Sequence, residues 1–194
     1  MDFRSLNKLV INLPSRADRR ENVLTQLKEI DFEFVDGVID QNPLIGIAKA
    51  HLSCVQKAKD NNWPYVLIME DDVVIRPNFE KYLNECFYNL PDEWDILLGG
   101  IYNCKQYQKY NDFWDKLGEF RALHFYIVNQ NAYDKILAYD MNCQQHIDAW
   151  MNRHGRNLKC FVTKKFVATQ QVGFSDNARA KVDYSHLISK VKLL

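Results

Sequence analysis

Three consecutive carboxylates, Glu70-Asp71-Asp72, directly follow a short apolar segment at residues 65–69. A short, strongly apolar segment of this kind predicts a buried strand. Like charges packed this closely repel each other, which costs stability unless a cation neutralises them. A divalent cation with oxygen ligands, Mn²⁺ or Mg²⁺, is suited to that task and would also bind a diphosphate leaving group. The alternative is a solvated strand end in which an aspartate caps the next helix.

A second group of residues, just after the first predicted strand, is suited to an anionic ligand. Its members are Asn12, Pro14, Arg16, Arg19 and Arg20. The planar guanidinium of arginine donates two parallel hydrogen bonds to phosphate oxygens. The arginines are spaced i, i+3 and i+4, which predicts that they cluster on one face of a helix. The other explanation is the ordinary charged first turn of an exposed helix.

Further polar residues follow two other predicted strands. Asp36 comes after the second strand, where it would accept hydrogen bonds from a ribose or a base, although an Asp-Gly turn is the simpler explanation. Ser175 and Asp176 follow a late strand and a polar loop. They would reach an ion or a phosphate there, or they form only a turn.

Two residues on predicted helices carry groups capable of acid–base chemistry. His51 lies on the apolar face of a helix at 44–60, where a lone histidine is usually a satisfied core residue. Asp148 lies among polar neighbours in a helix at 145–154. It is a candidate general base, and the alternative is a solvated helix carboxylate.

Strands that alternate with helices must position these groups. The predicted strands lie at 8–13, 32–35, 65–69, 94–98, 123–128 and 158–166, the last range holding one or two strands. Five helices are predicted. The first follows a capping box at 15–18, the second occupies 44–60, the third begins at Pro77, and the last two occupy 132–139 and 145–154. Residues 101–118 are predicted to be a loop, and the basic tail at about 178–194 is predicted to be helical. This alternation predicts an α/β domain with a mostly parallel sheet, whose ligands bind at the carboxyl ends of the strands.

Composition excludes several classes of protein. The 194 residues suggest one domain, 1–194, and their 47% hydrophobic content argues against disorder. A formal net charge of zero disfavours nucleic-acid binding. The longest aliphatic run, 66–69, is far too short to span a bilayer, and the first residues lack a signal peptide. Five cysteines without a CxxC pair predict free thiols in a reducing compartment, the cytoplasm. Common motifs of dinucleotide enzymes, kinases and triad hydrolases are absent from the sequence.

The motifs together resemble glycosyltransferase family 25, the family of lipooligosaccharide and collagen hydroxylysine galactosyltransferases. The matching stretches are Val10-Ile11-Asn12-Leu13 with Arg16, Asp18 and Arg19-Arg20, then Asp36-Gly37, then 46–51, then Ile68-Met69-Glu70-Asp71-Asp72. Weaker similarities occur at 94–99, Tyr126, Asp148 and 174–176, so the resemblance spans about residues 8–176. The departures are Ala50 before His51, Ile47 after Gly46, and Leu123-His124-Phe125 before Tyr126.

The resemblance implies a GT-A-like fold and a metal-dependent, inverting transfer of a hexose, galactose or glucose, from a UDP-sugar. The acceptor would be a hydroxyl of a glycan or of a hydroxylysine-type residue. Asp72 and Asp176 would hold Mn²⁺ or Mg²⁺. The residues expected to bind the donor are Asn12, Pro14, Arg16, Arg19, Arg20, Asp36, His51, Glu70, Asp71 and Ser175. A homodimer and a viral origin are further expectations.

Asp148 is the expected base in this scheme. Carboxylates on the metal sit on the leaving-group side of the sugar, so the base that takes the acceptor proton must come from elsewhere in the chain. Asp95 and Asp176 are its rivals. Two other functions remain open, a nucleotidyltransferase and a non-catalytic family member that acts as a binding module. The first normally shows a Gly-rich phosphate loop, which is missing here, and the second would lose the acidic triplet, which is intact.

Overall fold

The computed structural model describes residues 1–102, 107–152, 157–176 and 180–183. The strands are β1 (Asn7–Asn12), β2 (Glu33–Asp36), β3 (Tyr65–Glu70), β4 (Val73–Ile75), β5 (Ile96–Leu98), β6 (Tyr107–Lys109), β7 (Trp114–Leu117), β8 (Phe125–Asn129), β9 (Cys160–Thr163), β10 (Ala168–Gln170), β11 (Gly173–Ser175) and β12 (Ala180–Val182). The helices are α1 (Ala17–Gln26), α2 (Pro43–Asp60), α3 (Phe79–Tyr88), α4 (Tyr133–Leu137) and α5 (Ile147–Met151), with a 3₁₀ turn at Gln130–Ala132 before α4. No helix among these residues combines the length and the apolar character that crossing a bilayer requires.

Eight strands form the central sheet, in the order β2-β1-β3-β8-β5-β9-β7-β6. Six of the eight run in one direction, while β7 and β8 run in the opposite one. The predicted α/β class with a mostly parallel sheet is therefore confirmed. Two small antiparallel pairs, β4 with β10 and β11 with β12, lie outside this sheet.

Helices cover both faces of the sheet, and alternate residues of each central strand pack against opposite layers. Ile68 of β3 packs in the layer that contains α2, α4 and α5. Its neighbours Leu67 and Met69 pack in the layer that contains α1 and α3. Because both faces are buried, polar side chains of these strands reach solvent only at the strand ends.

The direction of β8 decides what lies at the edge of the sheet where β3 ends. Met69 pairs with Phe125, so the start of the antiparallel β8 lies beside the end of β3. The Glu70 N–H also donates to the His124 carbonyl at 3.2 Å. The segment before β8 therefore meets the acidic triplet at one edge.

Four predicted elements are wrong in detail. α1 begins at Ala17 with Arg16 as its N-cap and no side-chain cap, because the Asp18 carboxylate that a capping box needs is bound to the Arg16 guanidinium. Likewise α3 begins at Phe79, two residues after the predicted Pro77, because Asn78 has a left-handed φ of 60°.

The predicted loop at 101–118 contains the hairpin of β6 and β7. It is anchored by the buried Trp114, whose indole N–H donates to the Cys86 carbonyl at 3.0 Å. Within the predicted helical tail, residues 180–182 form a strand instead, paired with β11. The remainder of that tail from 184 onward, like His154 of the predicted helix at 145–154, lies outside the described residues.

The cysteines within the described ranges, Cys54, Cys86, Cys143 and Cys160, are free thiols. Burial raises the pKa of Cys54 and of Cys86 to about 12 each. These thiols are therefore uncharged at neutral pH and act as small apolar core residues. Cys104 lies outside the described residues.

Candidate functional site

The carboxyl ends of β1 and β3 bring Asn12 and the acidic triplet together. Asn12 is buried and donates from Nδ2 to Asp71 Oδ2 at 2.8 Å. Asp71 and Asp72 are only 6% and 7% exposed. Two carboxylates are thus held at a strand end with little access to water, which is costly unless partners compensate for the lost hydration.

Arg19 supplies part of that compensation. Its Nη1 lies 2.7 Å from Asp71 Oδ1 and 3.5 Å from Asp72 Oδ2. Its Nη2 donates to the Phe174 carbonyl at 2.7 Å. The guanidinium therefore joins α1, the turn after β3 and strand β11. Both carboxylate oxygens of Asp71 are bound, one by Arg19 and the other by Asn12. Arg19 makes only a long contact with Asp72.

Asp72 is the incompletely paired member of the triplet. Gln170 Nε2 donates to its Oδ2 at 2.6 Å, but its buried Oδ1 has no hydrogen-bond partner among the residues that the structure describes. Burial, together with the negative charge of Glu70, raises the pKa of Asp72 to about 7. An orphaned buried oxygen beside other carboxylates is suited to a cation with oxygen ligands. Asp72 therefore fits a divalent metal.

The second expected metal ligand is placed differently. Asp176 Oδ2 pairs with Arg16 Nη1 at 2.5 Å and lies 4.0 Å from Arg19 Nη2. The Arg19 guanidinium thus contacts both Asp176 and Asp72. Within the described ranges, no group of three or more His, Cys, Asp or Glu residues is arranged to hold a metal. A cation at Asp72 would need other oxygen ligands, such as water or a diphosphate.

Arg16 ties the start of α1 to the end of β11. Besides Asp176, it binds Asp18 through Nε at 2.9 Å and Nη2 at 2.8 Å. These hydrogen bonds raise the pKa of Arg16 and lower that of Asp18 to about 2. Arg20 instead stacks on the Phe34 ring, 3.8 Å from the centroid. The predicted cluster of three arginines is therefore wrong for Arg20, since it points towards β2.

Glu70 belongs to a separate hydrogen-bonded chain. The Tyr126 hydroxyl lies 2.8 Å from His51 Nδ1, and His51 Nε2 lies 3.3 Å from Glu70 Oε1. Burial raises the pKa of Tyr126 far above its usual value, so its hydroxyl donates and Nε2 of His51 carries the hydrogen towards Glu70. Burial opposes ionisation of Glu70, but the His51 hydrogen bond and the electrostatic attraction of the nearby histidines and Arg19 together lower the pKa of Glu70.

The hydrogen-bonded series from Tyr126 through His51 to Glu70 explains the position of His51. The imidazole and the Tyr126 ring are buried, while the Glu70 side chain is 28% exposed. Both ring nitrogens of His51 are used, so it acts on a ligand only through Glu70. His124 lies on the same edge with Nδ1 buried and without a partner, and burial lowers its pKa.

The other expected donor-binding residues lie around this cluster. Asp36 ends β2 and pairs in register with Asn12, whose carbonyl accepts the Gly37 N–H at 2.8 Å. Asp36 and Pro14 are exposed, and Ser175 ends β11. All three lie at the ends of elements that the cluster joins.

Asp148 lies in the first turn of α5, apart from the acidic triplet. Its Oδ2 accepts the Ala122 N–H at 3.0 Å and its Oδ1 accepts the Ala149 N–H at 2.6 Å. Ala122 has a φ of 91°, a strained value for a residue with a side chain. Asp148 therefore holds the segment that leads into β8. Its rival Asp95 precedes β5, at the opposite edge of the sheet from the triplet, and pairs with Lys135.

Two residues of the site were missed from the sequence. Gln170 reaches Asp72 only because β10 pairs with β4, where Gln170 stands opposite Val73. Phe174 contributes a carbonyl group, which no side-chain pattern reveals. Tyr126 contributes only a weak similarity to glycosyltransferase family 25 at the level of sequence. Its neighbours along the chain are apolar, so they do not indicate that its hydroxyl contacts His51.

Comparisons with known proteins extend this description. The sequence model of glycosyltransferase family 25 (LPS biosynthesis protein) matches residues 41–170, two thirds of the chain. Protein R655 of Acanthamoeba polyphaga mimivirus, whose name assigns it provisionally to the glycosyltransferases, is 27% identical over 137 residues. That match covers 57% of this chain and 42% of R655, so this chain spans less than half of its length.

Solved structures are similar in fold. Protein A197 of STIV has a TM-score of 0.55 and 12% identity, over 94% of this chain and 95% of A197. A glycosyltransferase involved in glycosylation of the major capsid of PBCV-1 has a TM-score of 0.44 and 11% identity, over 66% of this chain and 62% of its own. The similarity to A197 shows that the two chains share a fold.

Proposed function

This chain belongs to glycosyltransferase family 25, and from that premise we propose that it is a metal-dependent, inverting hexosyltransferase. Its donor is a UDP-sugar carrying galactose or glucose. Its acceptor is a hydroxyl of a glycan or of a hydroxylysine-type residue. A viral origin is part of the proposal, because R655 and A197 both come from viruses.

The unpartnered Oδ1 of Asp72 is the observation that carries the metal dependence. It is buried at the carboxyl end of a central strand, where α/β sheets bind their ligands. An unsatisfied buried oxygen costs about 1–3 kcal/mol, which a bound cation would recover. A divalent cation held by Asp72 supplies positive charge to the diphosphate leaving group.

Arg16 and Arg19 provide the fixed positive charge of the donor side. Both are held by carboxylates, Asp18 and Asp176 for Arg16 and Asp71 for Arg19. Their planar guanidinium groups are suited to the two phosphates of UDP. The proposed donor site therefore lies between the start of α1, the acidic triplet and the end of β11.

The base in this proposal is Asp148. Each of its oxygens accepts one backbone hydrogen bond and retains a further lone pair that can receive the acceptor proton. Asp148 is bound to the segment before β8 and, within the described residues, has no hydrogen bond or ion pair with Arg16, Arg19 or the acidic triplet, which leaves it free for the acceptor side of an inverting transfer.

The test measures UDP release from a panel of UDP-hexoses with and without Mn²⁺, for the wild type, Asp72→Asn and the control Asp60→Asn. Asp60 is an exposed aspartate at the end of α2. We expect release by the wild type and by Asp60→Asn only with the metal, and none by Asp72→Asn. Equal release from all three proteins, or full release without metal, would contradict the proposal.

A non-catalytic binding module is the second candidate, and one observation favours it. The Arg19 guanidinium already neutralises Asp71 and contacts Asp72, so part of the acidic triplet is balanced without a metal. Such a module would bind UDP equally with and without Mn²⁺ and would release no UDP from any UDP-hexose. A nucleotidyltransferase would instead be stabilised more by a nucleoside triphosphate than by UDP in a thermal-shift assay.

A further inference from the structure

A cavity of about 340 Å³ lies between the segment before β8 and the start of α5. Neither the acidic triplet nor the arginines of α1 line it. Its polar lining residues are Glu119, Arg121, Gln144, Gln145, His146 and Asn152. We refer to it as the α5 cavity.

The residues of the α5 cavity wall at 119–121 lie near the edge of the sheet that carries the acidic triplet. Residues 119–121 lead directly into the start of β8, which lies beside the end of β3. The connection is short, because the His124 carbonyl accepts the Glu70 N–H. A ligand in this cavity would therefore neighbour the proposed donor site.

The walls of the cavity are held in place by α5. Asp148 accepts the Ala122 N–H, and Asn152 Nδ2 donates to the Phe120 carbonyl at 2.8 Å. On the other side, Arg121 and Tyr102 exchange two backbone hydrogen bonds, of 2.9 and 3.2 Å. This support keeps Ala122 at its strained φ of 91°. Strain that the surroundings maintain is typical of binding and catalytic sites.

The lining is neutral and rich in carboxamides. The charges of Glu119 and Arg121 cancel, in contrast to the two arginines of the donor side. The Gln145 Oε1 and Asn152 Oδ1 atoms are buried and have no hydrogen-bond partner in the described structure. Carboxamides both donate and accept hydrogen bonds, as sugar hydroxyls do. A rotation of the Gln145 terminal amide would offer its oxygen to a hydroxyl, whereas the Asn152 amide is fixed by its hydrogen bonds to the Phe120 and Asp148 carbonyls.

We propose that the α5 cavity binds the acceptor, through an uncharged sugar unit whose hydroxyls pair with Gln145 and Arg121. This assignment rests on the proposed glycosyl transfer and specifies where its acceptor binds. The cavity lacks the excess of positive charge that would favour a phosphate or nucleotide, because Glu119 offsets Arg121. Asp148 lies in the same helix turn that carries the cavity wall, which suits a base for the acceptor hydroxyl.

The first experiment is saturation-transfer NMR with methyl glycosides of glucose, galactose and mannose, in the absence of any donor. It compares the wild type with Gln145→Ala and with the matched control Gln108→Ala on the exposed strand β6. The Gln145 backbone carbonyl, which accepts the Tyr139 hydroxyl at 2.5 Å, is unchanged by the substitution. Arg121→Ala serves as a second variant.

We expect at least one methyl glycoside to bind the wild type and Gln108→Ala equally, and to bind Gln145→Ala and Arg121→Ala about tenfold more weakly, the effect of one lost hydrogen bond. Absence of binding to the wild type, or equal binding by all four proteins, would overturn the assignment.

A second readout separates this assignment from the proposed function. UDP release from a UDP-hexose into water, without acceptor, should be the same in Gln108→Ala and the wild type, while the KM for the bound methyl glycoside rises about tenfold in Gln145→Ala. If the wild type binds the glycoside but releases no UDP, the sugar site stands and the transferase proposal fails. If UDP is released but the KM is unchanged in Gln145→Ala, the transferase proposal stands and the cavity assignment fails.

Discussion

The acidic cluster at the end of β3 and the α5 cavity lie near one edge of the sheet, yet they are built in opposite ways. The cluster pairs nearly every charge, with Asp71 bound by both Arg19 and Asn12. The cavity is formally neutral and leaves two amide oxygens without partners. In the acidic cluster, a positively charged ligand must compete with the Arg19 guanidinium, which already pairs with Asp71. In the cavity, a ligand would find unused hydrogen-bonding groups.

This difference matters for how each region would bind. Charged groups that are fixed by partners need no reorganisation when a ligand binds. They are therefore suited to a part that all donors of one class share, such as the diphosphate. Amide groups with spare acceptors adapt to hydroxyls in several orientations. We therefore expect the cluster to determine the donor class and the cavity to determine which acceptor is used.

The largest effect is expected from Asp72→Asn. The substitution keeps the shape of the side chain but removes the charge that would hold a metal, so Mn²⁺-dependent binding of UDP should be lost in calorimetry. Methyl glycoside binding in the α5 cavity should be unchanged. A variant that retains metal-dependent UDP binding, or one that loses the glycoside as well, would remove the distinction between the two regions.

Asp148 stands between the regions, and two substitutions separate its possible roles. If it is the base, Asp148→Asn should reduce turnover about 10²–10⁴-fold while the KM of the donor stays constant. The amide oxygen of Asn can still accept the Ala122 N–H, so the cavity wall should persist and glycoside binding should be retained. If Asp148 only positions the loop, Asp148→Asn should be active and Asp148→Ala alone should lose glycoside binding.

A smaller effect is expected from Tyr126→Phe, which removes the hydroxyl that binds His51. One buried hydrogen bond contributes about 1 kcal/mol, so the melting temperature should fall by about 2–4 °C. The matched control is Tyr88→Phe, because Tyr88 is 87% exposed. An unchanged melting temperature in Tyr126→Phe would show that the chain from Tyr126 to Glu70 contributes no stability.

The smallest effect concerns Asp18, whose pKa the Arg16 hydrogen bond lowers from 3.8 to about 2. A carboxyl with a lowered folded-state pKa stabilises the protein above its unfolded pKa, and that contribution disappears as the pH falls towards the folded value. The difference in unfolding free energy between wild type and Asp18→Asn should therefore shrink from pH 4 to about pH 2. Urea denaturation at several pH values measures it, and a constant difference would mean that the ion pair does not persist in solution.

The central elements could be predicted because their signals are local. The apolar run at 65–69 becomes β3, and the amphipathic segment at 44–60 becomes α2 within one residue. The hairpin of β6 and β7 was missed because its residues alternate poorly and its stability comes from Trp114, which packs far away in sequence against α3. The capping box failed for a similar reason, since Arg16 and Asp18 are paired with each other and with Asp176 rather than with the helix backbone.

The sequence by itself determined that three carboxylates end a buried strand and that arginines follow the neighbouring strand. Residue types and strand length suffice for that conclusion. Only the tertiary structure decided which carboxylate is satisfied. Asp71 meets partners 52 and 59 positions away, and Asp72 meets Gln170 at a separation of 98. Such pairings depend on strand order and on the docking of β10 and β11, which no local pattern encodes. Within the described residues they leave the Oδ1 atom of Asp72 without a hydrogen-bond partner.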